Sequence, residues 1–399
     1  MQFLFVSSPY RGMRALLFVM GLALAVIAAV HPARAADADD EAEPYAGLAV
    51  CPPALYGSDP AGCRPAGASA YLTHLQQQGF AYARRDFPGV RLPLTWLVSP
   101  TPNTRYAWVT TERLRLYATP QDAVEQNDKP VRRFGPGFMY IAYDGIERVG
   151  SRAALRTTDG YWVYNKAVAP VKPSLFRGWL FPRQPPERPF GWVRFREVQP
   201  KATPGFGTWD FAPYPLERYQ LVQVYETRTV DGQEWLLVGP DLWVEETRIA
   251  TVTPRTAPPE GVPTDRWIEI NVYEQTLAVY EHNRLVFATM ISSGTGKFYT
   301  RQGLFRIETK LETEDMRGAF AADKSDFYYL EDVPWTMYYD GSRAMHGAYW
   351  HDGFGFKQSH GCVSLSVADA YWLFRWAHEG DWVYVWDPTG KTPFEDYNF

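Results

Sequence analysis

Hydrophobic and polar positions alternate along much of the chain, and the clearest alternation lies between Arg266 and Ser292. Three alternating runs follow each other there, separated by polar turns at Glu274-Gln275 and His282-Asn283. This pattern is typical of strands with one buried face, so the segment is predicted to be a β-meander. Leu304–Leu311 is predicted to be another strand, and residues 381–386 a strand that closes the sheet.

Short β-type runs also fill residues 103–253, where Pro, Gly and Asp-Gly turn signals separate them. Such spacing predicts a small barrel or sandwich. A Trp-Val pair recurs at Trp162-Val163, Trp192-Val193 and Trp243-Val244. The recurrence resembles the Gly-Trp-Val strand of bacterial SH3-like wall-associated modules, and an ordinary β-domain with aromatic core residues accounts for it equally well.

One helix is clearly signalled, directly after the last cysteine. Ser366 and Asp369 form a capping-box pattern, apolar residues recur at helical spacing from Val367 to Ala377, and Gly380 ends the run. The predicted fold class is therefore mainly β with one or a few helices.

The N-terminus has the three parts of a secretory signal. Arg11 and Arg14 precede an apolar run from Ala15 to Val30, and Ala33-Arg34-Ala35 is a small-x-small cleavage site. An uncleaved membrane anchor is the alternative, because the run is only slightly short of a membrane span. In both cases the rest of the chain is expected outside the cytoplasmic membrane, in the periplasm or the cell wall.

Composition divides the chain into segments. The predicted order is a signal peptide (1–35), a Pro-rich linker with a disulfide-stapled lead-in (36–102), a β-rich region of one or two modules (103–253), a Pro-rich linker (254–265), a second domain (266–388) and a tail (389–399). The net charge of −5 argues against a nucleic-acid binder, which would present a basic surface.

The chain has three cysteines. Cys51 and Cys63 bracket a short Pro- and Gly-rich loop, and in an oxidising compartment they are predicted to form a disulfide. Cys362 is then left over as a buried bystander, an intermolecular link or a reactive thiol.

Four of the seven histidines lie in the same part of the chain as Cys362, namely His346, His351, His360 and His378. Their irregular spacing and the single cysteine argue against a zinc site, so no metal or cofactor is predicted. A catalytic thiol needs a base and an oxyanion site. His346 or His360 can supply the base, and Gly361 lets the backbone approach a carbonyl closely. A nearby imidazole and the following helix start are expected to lower the pKa of the thiol.

The segment MHGAYWHDGFGFKQSHGCVSL resembles the signature of the L,D-transpeptidases, the YkuD-like family, in which His-Gly is followed by Ser-His-Gly-Cys and a helix. The segment EQTLAVYEHNRLVFATMISSGTGK resembles the N-terminal half of the same family. The resemblance covers about residues 266–387 and implies a YkuD-like β-sandwich catalytic domain that is C-terminal to the SH3-like region.

The resemblance also implies a role for each matching residue. Cys362 would be the nucleophile, His346 the base, and the Gly347 carbonyl would fix the imidazole tautomer. The amides of Gly361 and Cys362 would form the oxyanion hole. Contacts to the substrate are expected from His360, Ser359, Tyr349, Trp350 and Ser364.

The implied activity is peptidoglycan cross-linking through a Cys thioester, with stem peptides as donor and acceptor, release of terminal D-Ala, and acylation by carbapenems. A carboxypeptidase or amidase-type cysteine hydrolase on the same fold is the alternative. A wall-binding protein with a silent catalytic domain is a third interpretation.

Two departures from the family pattern affect substrate recognition. Ser364 stands where many relatives have Arg or Asn, and Thr300–Gly303 lacks a usual proline. The candidate cations for an anionic stem peptide are Arg301, Arg317, Lys324 and Arg343.

Overall fold

The computed structural model describes residues 49–50, 63–64, 77–79, 87–99, 103–207, 209–319, 321 and 323–395. The predicted signal peptide, Cys51 of the predicted disulfide and most of the predicted lead-in lie outside these residues. Within the described part of the chain, no helix has the length and apolar character needed to cross a membrane.

The described residues are mostly strand, as predicted, and contain two α-helices. The helices are α1 (Pro120–Glu125) and α2 (Val367–Trp376). In chain order the strands are β1 (Ala49–Val50), β2 (Cys63–Arg64), β3 (Val90–Arg91), β4 (Arg105–Val109), β5 (Leu114–Leu116), β6 (Arg132–Phe134), β7 (Phe138–Val149), β8 (Arg152–Thr157), β9 (Trp162–Tyr164), β10 (Val168–Val171), β11 (Trp179–Leu180), β12 (Phe190–Val193), β13 (Glu197–Val198), β14 (Leu216–Glu217), β15 (Leu221–Gln223), β16 (Glu226–Val230), β17 (Gln233–Gly239), β18 (Leu242–Glu245), β19 (Ile249–Val252), β20 (Trp267–Asn271), β21 (Thr276–Glu281), β22 (Arg284–Met290), β23 (Gly303–Arg306), β24 (Thr309–Gly318), β25 (Tyr328–Asp340), β26 (Arg343–Gly347), β27 (Val363–Leu365) and β28 (Trp382–Trp386).

Two large sheets form a sandwich around the main core. A seven-stranded sheet has the order β23-β28-β20-β21-β22-β11-β3, and a nine-stranded sheet contains the path β10-β4-β7-β25-β26-β27. The largest apolar cluster takes Ile268 and Leu277 from the first sheet, Met337 and Val363 from the second, and Leu373 from α2. The core between the sheets is therefore built from side chains of the meander and of the strands that carry the Cys362 region.

The predicted meander is confirmed, because β20 pairs with β21 and β21 pairs with β22. The prediction that only one of its faces is buried was wrong. Trp267 and Tyr280 point away from the main core and stack at 4.4 Å in a second apolar cluster with Phe190 and Trp192. Strand β12 of the upstream region covers the face that alternation alone assigned to solvent.

The prediction of a single strand at Leu304–Leu311 was also wrong. The chain passes from one sheet to the other at Ile307 and Glu308: β23 pairs with β28 in the seven-stranded sheet, and β24 pairs with β25 in the nine-stranded sheet. A sheet change of this kind leaves no mark on the hydrophobic pattern, because each half still reads as a strand.

Each of the two large sheets contains strands from both sides of the linker predicted at residues 254–265. Strand β7 pairs in parallel with β25, with Phe138 opposite Tyr328, and β11 pairs with β22, with Trp179 opposite Ala288. The three Trp-Val pairs lie in β9, β12 and β18, as predicted. The SH3-like character and the domain limits remain predictions. Backbone hydrogen bonding nevertheless joins the upstream region to the C-terminal sheets.

Helix α2 begins as its sequence predicts. The Ser366 hydroxyl accepts a hydrogen bond from Asp369 N at 3.2 Å, and the helix ends before Gly380. The Asp369 carboxylate is fully buried and binds two other segments, accepting from Gly178 N at 2.8 Å and from Thr289 Oγ1 at 2.6 Å. Burial raises the pKa of Asp369 to about 6, although these hydrogen bonds oppose the shift.

Replacing Asp369 by Asn is expected to stabilise the protein near neutral pH. The folded pKa of about 6 lies above the ordinary value of 3.8, so the free energy of unfolding falls as the pH rises between these values and stays low above them. Without the buried charge, the Asn amide oxygen can still accept from Gly178 N, and its Nδ2 can donate to Thr289 Oγ1 in place of the bond that the carboxylate accepted. Urea unfolding of Asp369→Asn should therefore show a gain of about 1–3 kcal/mol at pH 7 and no gain at pH 4. An equal gain at both pH values would contradict this account.

Candidate active site

A groove of about 670 Å³ lies beside β26 and β27. Of the residues predicted for the site, the structure places these in its walls: His346, Trp350, Ser359, His360, Cys362 and Ser364. Cys362 and His346 therefore share one groove.

The register of two parallel strands explains this placement. Met345 lies opposite Val363, and His346 lies opposite Ser364. Met345 and Val363 are fully buried in the main core. Because side chains alternate between the faces of a strand, His346 and Ser364 face the other way, and Cys362, two residues before Ser364, is expected on their side.

The pKa of the half-buried Cys362 thiol is shifted in the direction opposite to the predicted one. Burial raises the pKa of Cys362, and this effect outweighs the backbone at Ala344 and the charge of Arg343, which both lower the pKa. The expectation that a neighbouring imidazole makes this thiol unusually acidic was therefore wrong for the observed state. The Sγ atom lies 3.8 Å from the Ser342 carbonyl oxygen.

His346 is also held neutral by its surroundings. Its side chain is buried, and burial lowers the pKa to about 4, with a smaller contribution in the same direction from His351. The Gly347 backbone opposes this shift, which places it near the ring. Nδ1 of His346 has no hydrogen-bond partner of strict geometry within the described residues, although the Gly347 backbone acts on the ring as a hydrogen-bond partner. Anchoring of the ring by the Gly347 carbonyl therefore stays a prediction. A neutral imidazole that lines the same groove as a neutral thiol can act as its base.

In the turn before Cys362, the Gly361 amide, one of the predicted oxyanion donors, already makes a hydrogen bond within the turn. Gly361 has a φ of 116°, a conformation that favours glycine. Its amide donates to Ser359 Oγ at 3.1 Å, and Ser359 Oγ donates to the Cys362 carbonyl oxygen at 2.5 Å. Thr300 Oγ1 donates to the Gly361 carbonyl oxygen at 2.8 Å. The Gly361 amide would reach an oxyanion only after this turn rearranges.

Tyr349 does not belong to the groove, contrary to the prediction. Its side chain is fully buried, its ring stacks on Tyr106 at 3.6 Å, and its hydroxyl donates to the Glu331 carbonyl oxygen at 2.6 Å. The next residue, Trp350, does line the groove, with its ring centroid 5.5 Å from that of His346.

The sequence analysis missed several groove residues. Phe138 of the upstream strand β7, Met316 of β24 and Tyr328 of β25 all contribute to the walls. His360 stacks on Tyr328 with ring centroids 5.6 Å apart. No local pattern marks these residues, because the pairing of β7 and β24 with β25 brings them to the groove.

The four candidate cations do not line this groove. Arg343 Nη1 lies 2.9 Å from Asp340 Oδ2, and Arg301 Nε lies 3.1 Å from the same atom. Arg317 belongs to a separate surface cavity with Arg132. Among the described lining residues there is no lysine or arginine.

A second cavity of about 610 Å³ contains none of the predicted site residues. Its buried carboxylates are already paired: Glu269 with Arg255 at 2.7 Å, and Glu274 with Arg194 at 2.6 Å. Elsewhere too, the described residues contain no group of three or more His, Cys, Asp or Glu side chains placed to hold a metal ion.

Residues 265–385 match the family model YkuD, the L,D-transpeptidase catalytic domain. The YkuD-matched region contains Cys362, His346 and the loop between them. The chain is also 26% identical to YciB of Bacillus subtilis (strain 168), which is named as a candidate L,D-transpeptidase. That match covers 27% of this chain and 59% of YciB, so the chain spans about three fifths of that relative.

Solved structures with similarity to the chain include two L,D-transpeptidases. The catalytic domain of the E. faecium L,D-transpeptidase acylated by ertapenem is 25% identical, with 32% of this chain and 100% of that chain covered and a TM-score of 0.28. The L,D-transpeptidase from Mycobacterium smegmatis is 17% identical, with 54% of this chain and 93% of that chain covered and a TM-score of 0.29. Scores of this size add nothing to the YkuD match.

Alkylation of Cys362 is expected to follow an ordinary or late thiol titration. Because the pKa of Cys362 is raised and that of His346 is lowered to about 4, both groups are expected to be uncharged near neutral pH rather than to form a thiolate–imidazolium pair. The iodoacetamide rate, measured on the Cys362 peptide by mass spectrometry, should rise about tenfold per pH unit from about pH 6 to about pH 9. A plateau near neutral pH that disappears in His346→Gln would show that an ion pair is present.

Proposed function

We propose that the protein is a peptidoglycan L,D-transpeptidase that works through a thioester on Cys362. One observation carries the proposal: within the YkuD-matched region, Cys362 and a neutral His346 line the same groove. A nucleophile with a proton acceptor is the minimum that acyl transfer through a thiol requires.

The first half of the proposed reaction forms the thioester. The Cys362 sulfur attacks the carbonyl carbon of the third stem residue, typically diaminopimelate, and His346 accepts the thiol proton. The bond from this carbonyl to terminal D-Ala breaks, and D-Ala leaves as an amine carrying the proton from His346. The pKa values of thiol and imidazole are shifted mainly by burial, which disfavours the charged forms. The negative charge that develops on the substrate carbonyl oxygen would offset the free-energy cost of forming a charged imidazole in the groove.

The second half transfers the acyl group to an amine of a neighbouring stem. The amine attacks the thioester carbonyl and loses a proton to His346, an amide bond forms, and the proton returns to the Cys362 sulfur. Water in place of the amine would make the same groove a hydrolase, so the product distinguishes the two activities. Because the substrate lies outside the cytoplasmic membrane, the proposal includes export by the predicted signal segment and action in the periplasm or cell wall.

Loss of the thiol is expected to abolish product formation. Purified protein would be incubated with disaccharide tetrapeptides, and the products separated by mass spectrometry. Wild type should give cross-linked dimers, whereas Cys362→Ala and His346→Gln should lose at least about a thousandfold in rate. His282→Asn is the matched control, because that histidine is an exposed turn residue outside the groove. Tripeptides without dimers would indicate hydrolysis, and an active Cys362→Ala would reject the proposal.

Acylation by a carbapenem provides a test that does not depend on the wall substrate. The E. faecium neighbour is described as acylated by ertapenem, and we extend this property to Cys362. Intact-mass spectrometry should show one added ertapenem on wild type and none on Cys362→Ala. An adduct of the same mass on Cys362→Ala would place the reactive group elsewhere.

A further inference from the structure

The segment between β26 and β27 forms one wall of the groove. Trp350 and His351 both line it, and the Trp350 ring lies 5.5 Å from the His346 ring. His351 Nδ1 accepts a hydrogen bond from Gly353 N at 3.1 Å, which stiffens the turn that follows. The position of this segment therefore sets how deeply His346 is covered.

The next residue in this segment, Asp352, is held by the upstream region. Arg218 Nη2 and the Tyr219 hydroxyl each donate to the Asp352 carbonyl oxygen at 2.6 Å. The Tyr219 hydroxyl also lies 3.1 Å from Asp352 Oδ1, and Ser174 Oγ hydrogen-bonds to the same oxygen. All three partners of Asp352 lie outside residues 265–385, which match YkuD.

Arg218 and Tyr219 form a unit prepared for this contact. The Arg218 guanidinium carbon lies 4.4 Å from the centre of the Tyr219 ring. Tyr219 has a φ of 67°, a conformation that a bulky residue keeps only where its surroundings enforce it. Phe176 packs between the two parts of the structure, with ring centroids 4.5 Å from Tyr219 and 5.7 Å from Phe354.

We propose that Arg218 and Tyr219 are positioning residues of the active site. They hold the Asp352 carbonyl and thereby keep Trp350 and His351 against His346, so the upstream region completes a groove that the YkuD-matched region does not close alone. The effect on acyl transfer rests on the proposed function, whereas the effect on burial of the thiol and the imidazole does not.

The test uses the full chain and the double variant Arg218→Met, Tyr219→Phe, which removes the donors and keeps the bulk. The matched control is Arg132→Met, Tyr161→Phe. There an Arg guanidinium likewise lies over a Tyr ring, at 4.7 Å, but neither residue lines the groove. Iodoacetamide alkylation of Cys362 is followed against pH, because its rate reports the pKa and access of the thiol without any wall substrate.

The double variant should open the groove and bring the pKa of Cys362 toward its ordinary value. We expect the alkylation profile to move down by about one pH unit, which is about tenfold in rate near pH 7. Ertapenem acylation should slow by about 10- to 100-fold, because the loop no longer holds the reacting groups in register. The control should match wild type in both measurements. A double variant with the wild-type alkylation profile, or a control that shifts equally, would overturn the assignment.

A conservative change at Asp352 separates hydrogen bonding from charge. Asp352→Asn keeps the carbonyl and an Oδ1 acceptor, so its alkylation profile should match wild type. A shift as large as that of the double variant would show that charge holds the loop and would also overturn the assignment. If even wild type fails to react with tetrapeptide and ertapenem, the proposed function is rejected, while the alkylation profiles still decide the positioning role.

Discussion

The parallel pairing of β26 with β27 is the constraint on which the site depends. It places Met345 and Val363 in the core and turns His346 and Ser364 toward the groove. A slip of one residue would exchange these faces, turning the imidazole into the apolar core between the sheets and Met345 toward the groove. The apolar cluster between the two sheets therefore fixes the positions of the reacting side chains, because one strand register both buries the core residues and orients His346 and Ser364.

Burial decides the charge state of the site before any substrate enters. Removing the thiol and the imidazole from water disfavours both of their charged forms, so the pKa of Cys362 rises and that of His346 falls. A thiol in this state resists adventitious oxidants, since the thiolate is the reactive form. As a consequence, the Cys362 thiol must lose its proton while its sulfur attacks the substrate.

The sequence predicts well whatever is encoded locally. The turns of the meander, the Ser366 cap of α2 and the common groove of Cys362 and His346 follow from short patterns. The misses have a common physical cause. Burial of the second meander face, the Phe138 wall and the removal of Tyr349 into the core all depend on contacts between the upstream region and the C-terminal sheets. Periodicity within one segment carries no record of such distant partners.

Continuity of the sheets across the linker has a consequence for any fragment limited to the YkuD-matched residues. Such a fragment would lack β7 and β11, leaving the start of β25 and the outer side of β22 with unpaired backbone groups. Open strand edges recruit strands from other molecules. The excised half is thus expected to associate with itself, and the upstream region acts in the intact chain as a built-in cover against aggregation.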